Sequence, residues 1–150
     1  MSAVLIDNRQ ASFNYEILDT LEAGVVLLGY EVKALKAKKG SLRGAFVSIL
    51  PDGAYLKSAD IPPYQMNNTP KDYDQKRDRR LLFKKKELAK LVGTEKEKGL
   101  TLIPISLYSK GSRIKVEVAI ARGKKKRDKR QSIKEREEKR HIERTMKYGS

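Results

Sequence analysis

The sequence contains no cysteine, no tryptophan, three phenylalanines and a single histidine, His141, in 150 residues. Without cysteine there are no disulfides, thiol nucleophiles or thiolate metal ligands, and one histidine cannot build a His-based zinc site. His141 follows Arg140 in a polar segment and reads as a solvent-facing spectator, not as the base of a triad. Acidic residues are scarce too, with 19 against 34 lysines and arginines and a formal net charge of +15. That surplus favours polyanionic partners, nucleic acid first among them. Long hydrophobic runs are also missing. Val25 to Leu28, one of the longest, falls far short of the roughly 20 residues that span a bilayer, and Met1 to Asp7 is too short for a signal peptide. A soluble, cytoplasmic protein with no membrane partner is expected.

The length suits one hydrophobic core, not two. Charge divides the chain unevenly: residues 1–121 carry a net +7 and residues 122–150 a net +8. Within 122–150 the clearly apolar side chains are only Ile133, Ile142, Met146 and Tyr148, too few to offset the entropy of ordering. The organisation expected is an RNA-binding body over 1–121 and a basic tail over 122–150, disordered when free.

Along the body, the alternation at Phe13, Tyr15 and Ile17 and the run Val25 to Leu28 predict two strands or one long strand bent near Ala23 and Gly24. Val32 and Leu35, among lysines, predict a short helix that stops by Gly40. Pro51, Asp52 and Gly53 close a hairpin between Ala45–Leu50 and Ala54–Ser58. Residues 61–80 carry three prolines and no apolar period, and read as a long loop. A second helix is expected over Lys84–Lys98, then a hairpin of Thr101–Leu107 and Arg113–Ala121. Paired strands with inserted helices and no βαβ repeat point to a small antiparallel barrel or curled sheet of OB-like character.

Chemistry concentrates in the cations. Lys124, Lys125, Lys126, Arg127, Lys129 and Arg130 place six cations in seven positions, a density suited to phosphate neutralisation. From Ser132 onward, opposite charges four apart, such as Lys134 with Glu138 and Glu135 with Lys139, encode a latent helix that needs a partner to form. In the body, Lys33, Lys36, Lys38 and Lys39 flank the first helix, while Lys76, Arg77, Arg79, Arg80 and Lys84–Lys86 surround the start of the second. Tyr64 and Tyr73 interleave with this basic loop and could stack on unpaired bases, although each taken alone suits a structural role. The bland alternatives are a lysine-rich surface kept for solubility and a solvated tail with generic anion affinity. Gly123 and Lys124 do not form a phosphate loop, and no carboxylate pair stands out as an acid/base couple. An RNA-binding protein is favoured over an enzyme, and neither a cofactor nor a small-molecule substrate is expected.

Several strings, taken in order, resemble the small protein B family, the SsrA-binding (tmRNA-binding) proteins of bacteria. They are Asn8, Arg9, Ala11 and Tyr15; Glu22 to Gly24 with Gly29, Glu31 to Lys33 and Leu35; Arg79 to Leu82; Lys98 to Leu102; Leu107, Tyr108 and Lys110; and Gly123 to Lys125, Asp128 to Arg130 and Ile133 to Arg136. The resemblance implies a mainly β fold, an antiparallel six-stranded OB-like barrel with about three helices and a basic C-terminal tail. It implies binding to the tRNA-like domain of transfer-messenger RNA (tmRNA) and delivery of that RNA to the stalled 70S ribosome for trans-translation. The tail would enter the empty mRNA channel and reach small-subunit rRNA at the decoding centre, becoming helical there.

Matched position by position, Glu22, Leu82 and Lys115 correspond to residues implicated in tmRNA binding. Lys33, Arg79, Arg80, Lys124 and Lys125 extend the expected RNA-binding set. Arg127, Asp128, Lys129, Arg130, Ile133, Lys134 and Glu135 correspond to the channel and decoding-centre tail. Arg127 stands where the family often has an aromatic or histidine, and its guanidinium can stack in the same place. A general rRNA-binding ribosomal or assembly protein is the alternative reading, followed by a single-strand chaperone.

Overall fold

A computed structural model describes residues 2–97 and 99–124. Seven strands and three helices follow in the order β1 (Ser2–Asp7), α1 (Ala11–Asn14), β2 (Tyr15–Val25), α2 (Gly29–Lys36), β3 (Phe46–Leu50), β4 (Gly53–Lys57), β5 (Arg79–Leu82), α3 (Lys85–Glu95), β6 (Leu100–Lys110) and β7 (Arg113–Gly123). All seven strands belong to one antiparallel sheet in the order β1-β6-β7-β2-β5-β4-β3. The sheet curls so that β3 packs against β6, but among the described residues no ladder closes it into a ring. The expected six strands are therefore seven, and the sheet is open.

Local chemistry explains most of these elements. The β3–β4 hairpin turns through Pro51 and Asp52, pairing Leu50 with Gly53, whose φ of 147° is open to glycine alone without strain. Helix α2 ends in a Schellman arrangement, Lys39 N bonding Ala34 O at 2.9 Å and Lys38 N bonding Leu35 O at 2.8 Å. The left-handed residue in that motif is Lys38, at φ 61°, and not the expected Gly40. Each of α2 and α3 begins with a glutamate bonded back to the preceding amide, Glu31 to Leu28 N and Glu87 to Lys84 N.

Three further expectations need correction. Phe13 lies in the single turn of α1, and β2 runs unbroken from Tyr15, its register irregularity falling between Ile17 and Asp19 instead of at Gly24. Arg79 and Arg80, read as the end of a long loop, begin β5 (Arg79–Leu82), because an arginine occupies an inward position and hides the apolar alternation. β1, at the sheet edge on β6, escaped notice because its consecutive Val4, Leu5 and Ile6 show no alternation, although Val4 is 54% exposed and Ile6 is buried.

One core lies inside the curled sheet, formed by Leu56, Leu81, Leu102, Leu107, Val116 and Val118 from the strands, Ala34 and Leu35 from α2 and Leu91 from α3. A smaller cluster of Ala11, Ile103, Ala119 and Ala121 docks α1 on the opposite face of β6 and β7. This second cluster explains why β7 is buried on both faces between Val118 and Ala121. Strand β7 continues to Gly123, two residues beyond the expected end of the body. No helix among the described residues is long and apolar enough to cross a membrane.

Candidate nucleic-acid interface

Register brings together residues that are far apart in sequence. Gly24 of β2 pairs with Leu82 of β5 on one side and with Lys115 of β7 on the other. Lys115 pairs in turn with Tyr108 of β6, and Tyr108 with Val4 of β1. Residues paired across a sheet share a face, so Leu82, Gly24, Lys115, Tyr108 and Val4 form one row across five strands. Glu22, two residues before Gly24, projects from the same face beside that row.

Gly24 leaves a notch in the row. A Cβ placed there would lie 3.5 Å from Leu82 Cβ and 3.7 Å from Lys115 Nζ, so the ammonium extends across the glycine toward the leucine. Leu82 is 56% exposed, which removes it from the core, and Lys115 is half-buried. The notch opens into a groove lined by Gly24, Val25, Leu27, Val32, Leu82 and Lys115, with Arg113 at its rim. An apolar wall with a cation above it suits the stacked face of a base or sugar beside a phosphate.

Glu22 would repel phosphate on its own, yet it is engaged locally. Its carboxylate accepts a hydrogen bond from the Tyr108 hydroxyl and lies 3.3 Å from Lys110 Nζ. The Tyr108 bond, with Lys110 and Lys115 behind it, outweighs desolvation and holds the carboxyl below its ordinary value. Desolvation and the same bond push the Tyr108 hydroxyl upward, so it remains a donor at neutral pH. Glu22 thus orients an aromatic and a cation on the exposed face.

The remaining expected residues separate into different environments. Lys33 is exposed on α2, and Arg80 is exposed on β5 with Nη2 donating to Asp52 O at 3.0 Å. Arg79 is fully buried and cannot touch RNA. Its Nε donates to Glu31 Oε2 at 2.9 Å, Nη1 to Ala59 O at 2.8 Å and Nη2 to Gln75 O at 2.8 Å and to the Tyr73 oxygen at 3.1 Å. Glu31, also fully buried, accepts from Arg77 as well. Burial pushes the Glu31 carboxyl up, but Arg77, the Leu28 amide and Arg79 prevail and hold it below the ordinary range. This cluster ties α2 and the 59–78 loop to β5.

Tyr73 belongs to the same cluster. Its ring meets Tyr30 edge to face at 4.9 Å, and its hydroxyl lies 2.9 Å from Glu31 Oε2 and 2.7 Å from Ile61 O. Burial and the Glu31 bond push that hydroxyl up to about 12. Tyr64, by contrast, stays 39% exposed with Lys39 Nζ 5.7 Å from its ring centre. Lys124 leaves the end of β7 and donates Nζ to Ser12 O at 2.8 Å. Lys125 and the tail residues Arg127, Asp128, Lys129, Arg130, Ile133, Lys134 and Glu135 lie outside the described residues. Sequence reasoning named Tyr108, Lys110 and Glu31 only within the resemblance strings and missed their roles, because their partners are set by sheet register and long loops with no local signal.

Comparison with known proteins places this geometry in context. Residues 5–148 match the family model described as SmpB protein. An SsrA-binding protein of Thermosynechococcus vestitus is 51% identical over 144 residues, covering 96% of this chain and 95% of that protein. An SsrA-binding protein of Gloeobacter violaceus is 49% identical, covering 96% and 94%. A solved chain from a study described as "tmRNA-SmpB: a journey to the center of the bacterial ribosome" superposes with a TM-score of 0.69 at 41% identity, covering 83% of this chain and 87% of that one.

Proposed function

Because the chain belongs to the SmpB protein family, we propose that it binds the tRNA-like domain of tmRNA and delivers it to stalled bacterial ribosomes for trans-translation. The observation that carries this reading is the notch at Gly24, where Leu82 and Lys115 meet across β2 with Glu22 on the same face. These three positions match the family's RNA-contacting residues, and their convergence from three strands supports one shared site. Leu82 packs under a base or sugar, Lys115 meets a phosphate or 2′-hydroxyl, and Glu22 keeps Tyr108 and Lys110 aligned beside them. Lys33 and Arg80 add cations on the surrounding surface. The curled sheet serves as an OB-like barrel, a reading supported by the packing of β3 on β6. As an adaptor the protein works by binding and acts without catalysis, in the cytoplasm where its ribosomes are.

The segment beyond Lys124, with its lysine run and the Asp128–Arg130 and Ile133–Glu135 strings, is the part that enters the empty mRNA channel and reaches the decoding centre. The test is affinity for the tRNA-like domain of tmRNA against an unrelated hairpin of equal length, at near-physiological salt. A preference of at least about a thousandfold is expected, in the range that separates specific from nonspecific binding. Equal affinities would reduce the protein to a general rRNA-binding module. Leu82→Ala should narrow the preference, whereas Lys115→Ala should weaken binding with a salt slope lower by about one.

A further inference from the structure

Leu82 has two sides, and only one of them faces the Gly24 notch. On the other it walls a second groove, between α3 and the β3–β4 hairpin, lined also by Leu50, Arg80, Phe83, Leu88 and Val92. This groove holds about 520 Å³ against about 400 Å³ for the notch groove, inside the range of about 300–1,000 Å³ that small-ligand sites occupy. It is not a gap in the core, because Ala54 and Leu81 at its floor are buried. Leu82, Leu50 and Val92, from three different elements, are 56%, 38% and 38% exposed and line this one space.

The rim of the groove is arranged for an anion. Arg80, two residues before Leu82 on β5, projects from the same exposed face. Its guanidinium lies broadside on Gly53, where a Cβ would come 3.2 Å from Nη2, 3.5 Å from Cζ and 3.6 Å from Nε. Nη2 spends one of its two N–H donors on Asp52 O at 3.0 Å, and Nε and Nη1 make no hydrogen bond among the described residues. One two-donor edge of the fork therefore stays open in a fixed orientation, the geometry that takes a phosphate in a bidentate pair. The two carboxylates at the groove are engaged locally, Asp52 Oδ2 accepting from the Tyr55 hydroxyl at 2.6 Å and Glu95 Oε1 from the Ile49 amide at 3.3 Å. Lys96 lines the groove, and Lys84, Lys85 and Lys86, between the lining Phe83 and Leu88, are exposed beside it. We propose that this groove is a second nucleotide site, in which an unpaired base seats against Leu82 and Val92 while its phosphate meets the open edge of Arg80. One side chain separates the two grooves, so neighbouring nucleotides of a single strand occupy both. That continuity and the cationic rim commit the groove to RNA over a protein partner. The inference deepens the proposed function and rests on it, since the strand is that of the RNA in the notch.

The chain has no cysteine, so a single introduced thiol reports shielding at a chosen point. Three full-length variants are alkylated with iodoacetamide, with and without a saturating tRNA-like domain of tmRNA: Val92→Cys in the second groove, Ser112→Cys in the notch groove and Met66→Cys, which lines neither. All three positions, like Arg80, are exposed, so the variants keep the fold. The RNA should slow alkylation of Val92→Cys and Ser112→Cys roughly tenfold or more and leave Met66→Cys unaffected. Arg80→Lys keeps the charge and loses the fork, so affinity for the same RNA should fall roughly tenfold at an unchanged salt slope. Arg80→Gln should also lower that slope by about one. Shielding of Ser112→Cys without Val92→Cys would overturn the second site and leave the notch standing, whereas shielding of neither would remove the notch reading as well. Arg80→Lys binding as tightly as the parent would overturn the proposal. So would Val92→Cys shielded only once 70S ribosomes are added, a result that gives the groove to a ribosomal surface and not to the RNA in the notch.

Discussion

Glu31→Gln should destabilise the protein more than any surface change, and the structure indicates how much. Glu31 has no exposed surface and accepts from the Leu28 amide, Tyr73, Arg77 and Arg79. Glutamine preserves the shape but turns one acceptor into an amide donor facing guanidinium donors, and it leaves Arg79 buried without a counter-charge. Breaking a buried pair from one side costs about 3–5 kcal/mol, against a total stability of about 5–15 kcal/mol for a domain of this kind. With a urea slope of about 2 kcal/mol/M, the midpoint should fall by roughly 2 M. The double variant Glu31→Met with Arg79→Met should recover much of the loss, since apolar replacement of a buried pair is often close to neutral, and a double-mutant cycle reads the coupling. The acid limb gives a second check. The Glu31 carboxyl is held below its ordinary 4.5 in the native state, so its contribution is complete above 4.5 and fades as pH falls through the lower native value. The stability gap between parent and Glu31→Gln should therefore be flat near neutrality and close under acid. A gap below about 0.5 kcal/mol at neutral pH, the scatter of ordinary surface substitutions, would refute the claim that this cluster holds α2 and the 59–78 loop to β5.

Other outcomes follow from single positions. Lys38 adopts φ 61° at the end of α2, so Lys38→Gly should raise stability by about 0.5–1 kcal/mol in thermal melts, and a lowered midpoint would contradict the strain argument. A Cβ at Gly24 has van der Waals room but enters the notch, so Gly24→Ala should fold normally yet bind tmRNA roughly tenfold more weakly, about one 1.4 kcal/mol step; undiminished affinity would move the site elsewhere. Ile133→Asp should leave affinity for free tmRNA unchanged and impair tagging on the ribosome, and equal tagging rates would remove Ile133 from the channel contacts. A protein ending at Lys124 should melt cooperatively and bind tmRNA without supporting tagging, whereas one ending at Ala121 should melt lower, because Arg122 and Gly123 pair with Glu16 and Tyr15.

Hairpins and helices were legible where local chemistry decides them, as at Pro51–Gly53 and in the spacing of Leu88, Leu91 and Val92. β5 was not, because its inward Arg79 is compensated by Glu31, 48 residues earlier, and no window of sequence contains both partners. Gly24 drew notice without its partners being legible. Read as a bend, it is flanked by two ladders whose register runs through it without a shift, and its missing side chain makes room for Lys115. Of the candidate site, Glu22, Leu82 and Lys115 entered through family resemblance. That they share one face is a consequence of register, which alternation along single strands does not determine.

Counting cations describes how strongly such a surface attracts RNA, but it says little about which RNA is chosen. Arg79 and Arg80 are neighbours in sequence, yet strand alternation sends the first into a buried ion pair and the second to the surface. A basic string is therefore not a row of phosphate contacts. The body's net +7 is smaller than the +8 of the 29 residues that follow Ala121, although the body is about four times as long. Electrostatic attraction is thus densest where side chains for base recognition are fewest, and the shaped elements lie in the body: the Gly24 notch, the exposed Leu82 and the Tyr108 held by Glu22. Under the proposed function, selection among RNAs belongs to the sheet face, and the dense charge beyond it strengthens whatever encounter that face has selected.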